Sequence, residues 1–165
     1  MDIEKLTEIK KATIKAMFSD DEIMEKIVLK GGNAIDLIYG MAQRSSLDLD
    51  FSMEDDFDES NLKEISSRLE FQIKGALSEI GFEAFDIKLS KRPSEIDEKL
   101  RDFWGGYQLE FKLIEYAKKR GIENDINTIR RNASVVGPDQ RRIFTIDISR
   151  FEYVKDKIKK EFEID

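Results

Sequence analysis

An α/β (α+β) fold, with helices packed on one face of a sheet and the other face open and polar, is predicted by three patterns in this 165-residue chain. First, four segments alternate apolar and polar residues, at 47–51, 85–89, 107–113 and 143–149. Successive side chains along a strand point to opposite faces, so each segment offers one apolar and one polar face. Second, Leu62, Ile65, Leu69, Ile73, Leu77 and Ile80 recur at three- and four-residue steps, which makes one apolar stripe on a long helix. Third, strand-like and helix-like segments intermix without a repeat, a low-complexity run or a linker, so one domain around one core is expected.

Composition narrows the chemistry. With 40% hydrophobic and 38% charged residues, the chain belongs with folded, strongly solvated domains rather than disordered ones. Cysteine and histidine are both absent. Disulfides, thiolate or His-ligated zinc, and Ser-His-Asp or Cys-His catalysis are therefore excluded. Carboxylate, Lys, Tyr and Ser chemistry remains, and hard cations with oxygen ligands are the natural metal class. A net charge of −7 argues against nonspecific binding along a nucleic-acid backbone, though not against a local basic patch or a metal that brings phosphate to an acidic site. There is no apolar run of membrane-spanning length and no secretory pattern at the start, so a cytoplasmic location with no membrane contact is the default expectation.

In chain order, residues 2–18 read as a charged helix with Ile3, Leu6, Ile9 and Met17 on one stripe. Ser19-Asp20-Asp21-Glu22 matches a capping box, with Ser19 as N-cap, and starts a second helix from 20 to about 27. Lys30-Gly31-Gly32-Asn33 ends that helix in a turn, and a third helix runs from 33 to about 42. After the first strand, Met53-Glu54-Asp55-Asp56-Phe57-Asp58-Glu59 reads most simply as a solvated acidic loop. Ser60 is expected to cap the long helix to about 80, with Gly81 at its C′ position. Pro93 opens a short helix or loop to 101, and Phe103-Trp104-Gly105-Gly106 reads as a turn with Trp104 at the core edge. Strand 107–113 sends Tyr107, Leu109, Phe111 and Leu113 one way and Gln108, Glu110 and Lys112 the other. Residues 125 to about 132 suit a helix, and Gly137-Pro138-Asp139-Gln140 a turn. In the last strand Phe144, Ile146 and Ile148 face inward while Thr145, Asp147 and Ser149 face outward. The charged tail admits a closing helix, or a strand at 162–164.

The chemistry concentrates in aspartates placed mid-strand, where Asp is a poor strand former. Asp48 and Asp50 share the polar face of one strand, and Asp147 sits on the polar face of another. On one sheet face the three would repel one another unless a cation sat between them, and a pair of divalent ions would resolve the conflict and hold a triphosphate. The alternative is the wet face of amphipathic strands. Gly31-Gly32 before a helix offers free N–H groups and a positive dipole end to an anion, although such a pair is more often a plain turn. Lys118, Lys119, Arg120, Arg130, Arg131, Arg141 and Arg142 form the basic clusters; they suit an RNA backbone or a triphosphate, or are solvated charges balancing an acidic chain.

Leu29-Lys30-Gly31-Gly32-Asn33-Ala34, Tyr39-Gly40 and Ser46-Leu47-Asp48-Leu49-Asp50-Phe51-Ser52 together resemble the signature of the AbiEii/AbiGii toxin-type nucleotidyltransferases, within the DNA polymerase β-like superfamily. Phe103-Trp104-Gly105-Gly106-Tyr107 through Phe111-Lys112, and Thr145-Ile146-Asp147-Ile148-Ser149, fit the same pattern over roughly 20–150. The resemblance implies a nucleotidyltransferase-like mixed sheet in a single domain over 1–165, with N-terminal helices at 1–27, a catalytic core at 28–150 and a charged tail at 151–165. It implies transfer of a nucleoside monophosphate from an NTP to an acceptor hydroxyl on RNA (some members modify tRNA) or protein, with two Mg²⁺ ions, in a toxin with a cognate antitoxin and a phage-defence role. Gly31, Gly32, Asn33 and Ser46 would receive the nucleotide, Asn33 standing where the family commonly has Thr or Ser. Asp48, Asp50 and Asp147 would hold the metals and carry the catalysis, with Glu110 as the fallback for the third carboxylate. Family members usually add a Glu-Lys-Leu-like and an Arg-x-x-Asp-like segment in a helical region that follows the core, and residues 151–165 show neither. The alternative expectation is therefore a catalytically incomplete nucleotidyltransferase-like binding or regulatory domain. A hydrolase using the same carboxylates with water is a third.

Overall fold

The computed structural model describes residues 2–29, 49–92 and 105–150. The expected Gly31-Gly32 turn, the helix at 33–42, Ser46, Asp48, the segment 93–104 with Trp104, and the tail from 151 lie outside the described residues.

The elements follow in the order α1 (Ile3–Met17), α2 (Asp21–Lys26), β1 (Ile27–Leu29), β2 (Leu49–Met53), a 3₁₀ turn (Glu59–Asn61), α3 (Leu62–Ser78), β3 (Phe82–Arg92), β4 (Gly106–Glu115), α4 (Tyr116–Lys119), α5 (Ile126–Arg131) and β5 (Phe144–Ser149). Among the described residues the sheet has five strands, in the order β1-β2-β5-β4-β3. Only β2 and β5 run parallel; β1–β2, β5–β4 and β4–β3 are antiparallel, so the sheet is mixed.

The alternation read from the sequence decides the layers. Leu49, Phe51 and Met53 on β2, Leu109, Phe111 and Leu113 on β4, and Phe144, Ile146 and Ile148 on β5 are buried in one cluster with Leu6, Ile9, Ile14 and Met17 of α1. Ile65, Leu69, Ile73 and Leu77 of α3 join it, with Leu62 and Ile80 partly buried at its margin, as the helical stripe predicts. Phe111 and Phe144 stack with centroids 4.8 Å apart, on neighbouring strands at matched register. One departure is Ile3, which is 55% exposed in the first turn of α1; Ile14 takes its place inside.

Several expectations need correction. Ser19 does not cap α2: Asp20 does, accepting from the Ile23 N–H at 3.2 Å, while the Ser19 hydroxyl donates to the Lys15 carbonyl. Ser60 does not cap the long helix either. The Asp58 carboxylate accepts from the Ser60 N–H and hydroxyl and starts the 3₁₀ turn that leads into α3. Residue 27 belongs to β1 rather than to the second helix, and the sheet gains a fifth strand that is too short to show a period. The acidic run is not simply solvated: Phe57 is buried against Tyr107, and Asp56 is half-buried in a network.

β3 is longer than predicted and carries a bulge between Phe85 and Lys88, where Asp86 adopts φ 49°. The extra residue breaks the alternation: Phe85 pairs with Lys112 of the outer face, while Ile87 and Leu89 lie against the core. The outer face is covered at one end. Ile114 points away from Leu113 yet is fully buried, and the segment after α5 closes there through a Ser134 N–H bond to the Leu113 carbonyl at 2.8 Å.

Candidate active site

The parallel pairing of β2 with β5 sets Asp50 opposite Asp147, between the pairs Leu49–Ile146 and Phe51–Ile148. Directly paired residues on neighbouring strands face the same way, about 4.8 Å apart across the ladder. The two carboxylates therefore stand side by side on the face opposite the core. On the next strand, Gln108 is opposite Asp147, and its Nε2 donates to Asp147 Oδ1 at 3.1 Å. Ser90 of β3 extends the row, paired with Gln108. All four are partly buried, so the row is neither bulk surface nor core. Two ionised carboxylates at roughly 5 Å and an effective dielectric near 20 repel by about 3 kcal/mol. An oxygen-seeking divalent cation would offset that repulsion, and the two carboxylates are hard oxygen donors of the kind that suits Mg²⁺.

Of the predicted site residues, Asp50 and Asp147 thus come together. Asp48, Gly31, Gly32, Asn33 and Ser46 lie outside the described residues. Among the described residues no group of three or more acidic side chains is arranged to hold a metal. Glu110, the fallback, is paired with Thr145 and Lys88, two residues along β4 from the row, so it is out of line with Asp50. Gln108 went unrecognised in the sequence. Its only signal was the outward face of a strand, and nothing local says which residue lies across the ladder.

Asp56 anchors a second group at the end of the sheet where β2 and β5 finish and β4 begins, with Tyr107 on the core face of β4. Its Oδ1 accepts from the Tyr107 hydroxyl at 2.5 Å and its Oδ2 from Arg150 Nη1 at 2.7 Å. Burial and then the Asp56 carboxylate push the Tyr107 phenol well above its usual range, so it stays protonated and donates.

The basic clusters mostly hold the fold. Arg130 meets Asp86 through Nε at 2.9 Å and Nη2 at 3.0 Å, and Lys112 reaches the same carboxylate at 3.1 Å. Arg130 first and Lys112 second hold Asp86 below the usual carboxylate range. These three, with Ile87, Lys88, Glu110 and Ile143, line a groove of about 560 Å³. Arg141 bonds the Ile143 carbonyl and the Thr145 hydroxyl, Arg142 the Ala133 carbonyl, and Lys119 pairs with Glu83.

No helix among the described residues is long and apolar enough to cross a membrane. No curated protein and no solved structure matches the chain. One family model does, over residues 13–163, and it is described as the nucleotidyl transferase AbiEii toxin of a Type IV TA system. That match takes in Gly31-Gly32, β2 and β5 with their aspartates, and the sheet around them. The chain belongs to the AbiEii nucleotidyl transferase toxin family of type IV toxin–antitoxin systems.

Proposed function

We propose that this chain transfers a nucleoside monophosphate from an NTP to an acceptor hydroxyl and releases pyrophosphate. The side-by-side placement of Asp50 and Asp147 carries this reading. Asp48, Asp50 and Asp147 would hold Mg²⁺, which when bound neutralises the triphosphate and sharpens the acceptor hydroxyl as a nucleophile. Asp147, fixed by the Gln108 amide, accepts that hydroxyl's proton. Gly31, Gly32, Asn33 and Ser46 receive the phosphates through backbone N–H groups and short polar side chains. The acceptor is RNA, including tRNA, or protein, and the protein works in the cytoplasm as a toxin opposed by a cognate antitoxin in phage defence.

The test incubates the protein with α-labelled NTPs, Mg²⁺ and either total RNA or a protein extract. Wild type should label an acceptor, and Asp50→Asn and Asp147→Asn should each reduce labelling to background. Equal labelling by wild type and the double variant would end the assignment. Metal-dependent NTP binding with no labelled product would instead mark a binding or regulatory domain.

A further inference from the structure

We infer that Asp56 is a positioning residue for the Asp50–Asp147 pair, acting through Arg150 and Tyr107; the inference rests on the metal-holding role proposed above for that pair. Asp56 belongs to an acidic run whose composition suggests only a solvated loop. Its surroundings say otherwise. Oδ1 accepts from the Tyr107 hydroxyl at 2.5 Å and the Phe57 N–H at 2.8 Å, and Oδ2 from Arg150 Nη1 at 2.7 Å. Its backbone carbonyl accepts from Lys26 Nζ at 3.1 Å, at the junction of α2 and β1. The Arg150 side chain is only 8% exposed, so removing its carboxylate partner leaves a nearly buried charge without it.

The placement of these partners is what links them to the site. Because β2 and β5 are parallel, the chain runs on from Asp50 and from Asp147 toward the same end of the sheet. The chain reaches Asp56 six residues after Asp50, and Arg150 three residues after Asp147. β4 starts at the same end in the opposite sense, with Tyr107 beside Ile148 and Gln108 beside Asp147. One carboxylate therefore ties together the ends of the three strands that carry Asp50, Asp147 and Gln108. The contact has little slack, since the Arg150 N–H also bonds the Gly105 carbonyl at 3.0 Å. A metal site tolerates ligand displacements of only about 0.2 Å, so splaying of β2 from β5 would be felt there.

Mn²⁺ binding to the full-length chain, followed by the paramagnetic resonance of the free ion, reads this directly. Asp56→Asn should keep the far-UV circular dichroism of wild type and bind Mn²⁺ about tenfold or more weakly. Tyr107→Phe, which keeps the ring against Phe57 and removes only the hydroxyl, should shift affinity in the same direction; it carries the test if Asp56→Asn does not fold. Ile9→Val, in the core of α1, should lower the unfolding midpoint and leave Mn²⁺ affinity unchanged. If Asp50→Asn and Asp147→Asn abolish binding while Asp56→Asn and Tyr107→Phe bind as wild type, Asp56 has only a structural role and the inference falls. If wild-type binding is indifferent to Asp50→Asn and Asp147→Asn, the metal-holding role falls first and the inference falls with it.

Discussion

Gly106 leaves no room for a side chain: a Cβ there would lie 2.0 Å from the Ile148 carbonyl oxygen. The obstacle is backbone, so it cannot rotate away. Gly106→Ala should destabilise the protein by about 1–3 kcal/mol or more, seen as a lower urea midpoint, because β4 must back away from β5. Two residues on, Gln108 would then lose its alignment with Asp147. Gln108→Leu tests that amide by itself. It keeps the side chain's bulk and removes the donor to Asp147, so NTP-dependent labelling should fall while the unfolding midpoint stays near that of wild type. The sequence made Asp50, Asp147 and Gln108 legible as outward-facing, because alternation is a local property. It could not say that they share a row, because register depends on which strand lies alongside, and that is a property of the assembled sheet. The roles of Asp56 and Asp58 were hidden for the opposite reason: a run of like charges looks uniform, and only the partners distinguish a cap or an ion pair from a solvated acid.

At the scale of elements, Asp20 does two jobs, and the capping-box pattern placed the first of them, the cap, one residue too early. It caps α2 through the Ile23 N–H and pairs with Arg68 of α3, with Nε to Oδ2 at 2.6 Å and Nη2 to Oδ1 at 2.9 Å. The Arg68 hydrogen bonds are the main reason its carboxyl is held below the ordinary value of 3.8, with burial opposing and the Ile23 N–H assisting. A carboxyl whose folded pKa is depressed binds its proton more readily in the unfolded chain. Its contribution is therefore complete above the ordinary value of 3.8 and is lost as pH falls through the lower folded value. Asp20→Asn should flatten this part of the acid limb of a stability-against-pH curve, and Asp20→Ala should cost about 1 kcal/mol for the cap at neutral pH. Long elements such as α1, α3, β4 and β5 were legible because their periods repeat several times. β1 was not, since three residues cannot show a period, and the β3 bulge was not, since one inserted residue merely interrupts one.

Across the whole molecule, one apolar cluster among the described residues joins α1, α3 and all five strands, from Ile27 of β1 at one edge of the sheet to Phe82 of β3 at the other. The family match begins at residue 13, inside α1, so the first turns of that helix lie outside it. They are nonetheless part of the core. Leu6 and Ile9 are buried, and the Lys5 ammonium lies 5.4 Å from the centre of the Phe82 ring at the start of β3. Burying side chains of this size contributes about 1.5–3 kcal/mol each, against a total stability of roughly 5–15 kcal/mol for an ordinary domain. Ile9→Ala should therefore cost about 2–5 kcal/mol, the range for emptying a core site. Deleting residues 2–12 should cost more, because it strips Leu6 and Ile9 together and opens the flank of α3. If α1 were an independent appendage, the deletion would leave the denaturation midpoint of the remainder unchanged, and circular dichroism of the wild type would show two transitions. A shared core predicts the reverse: one transition in wild type, coincident in the far- and near-ultraviolet, and a large downward shift of that same transition in both variants.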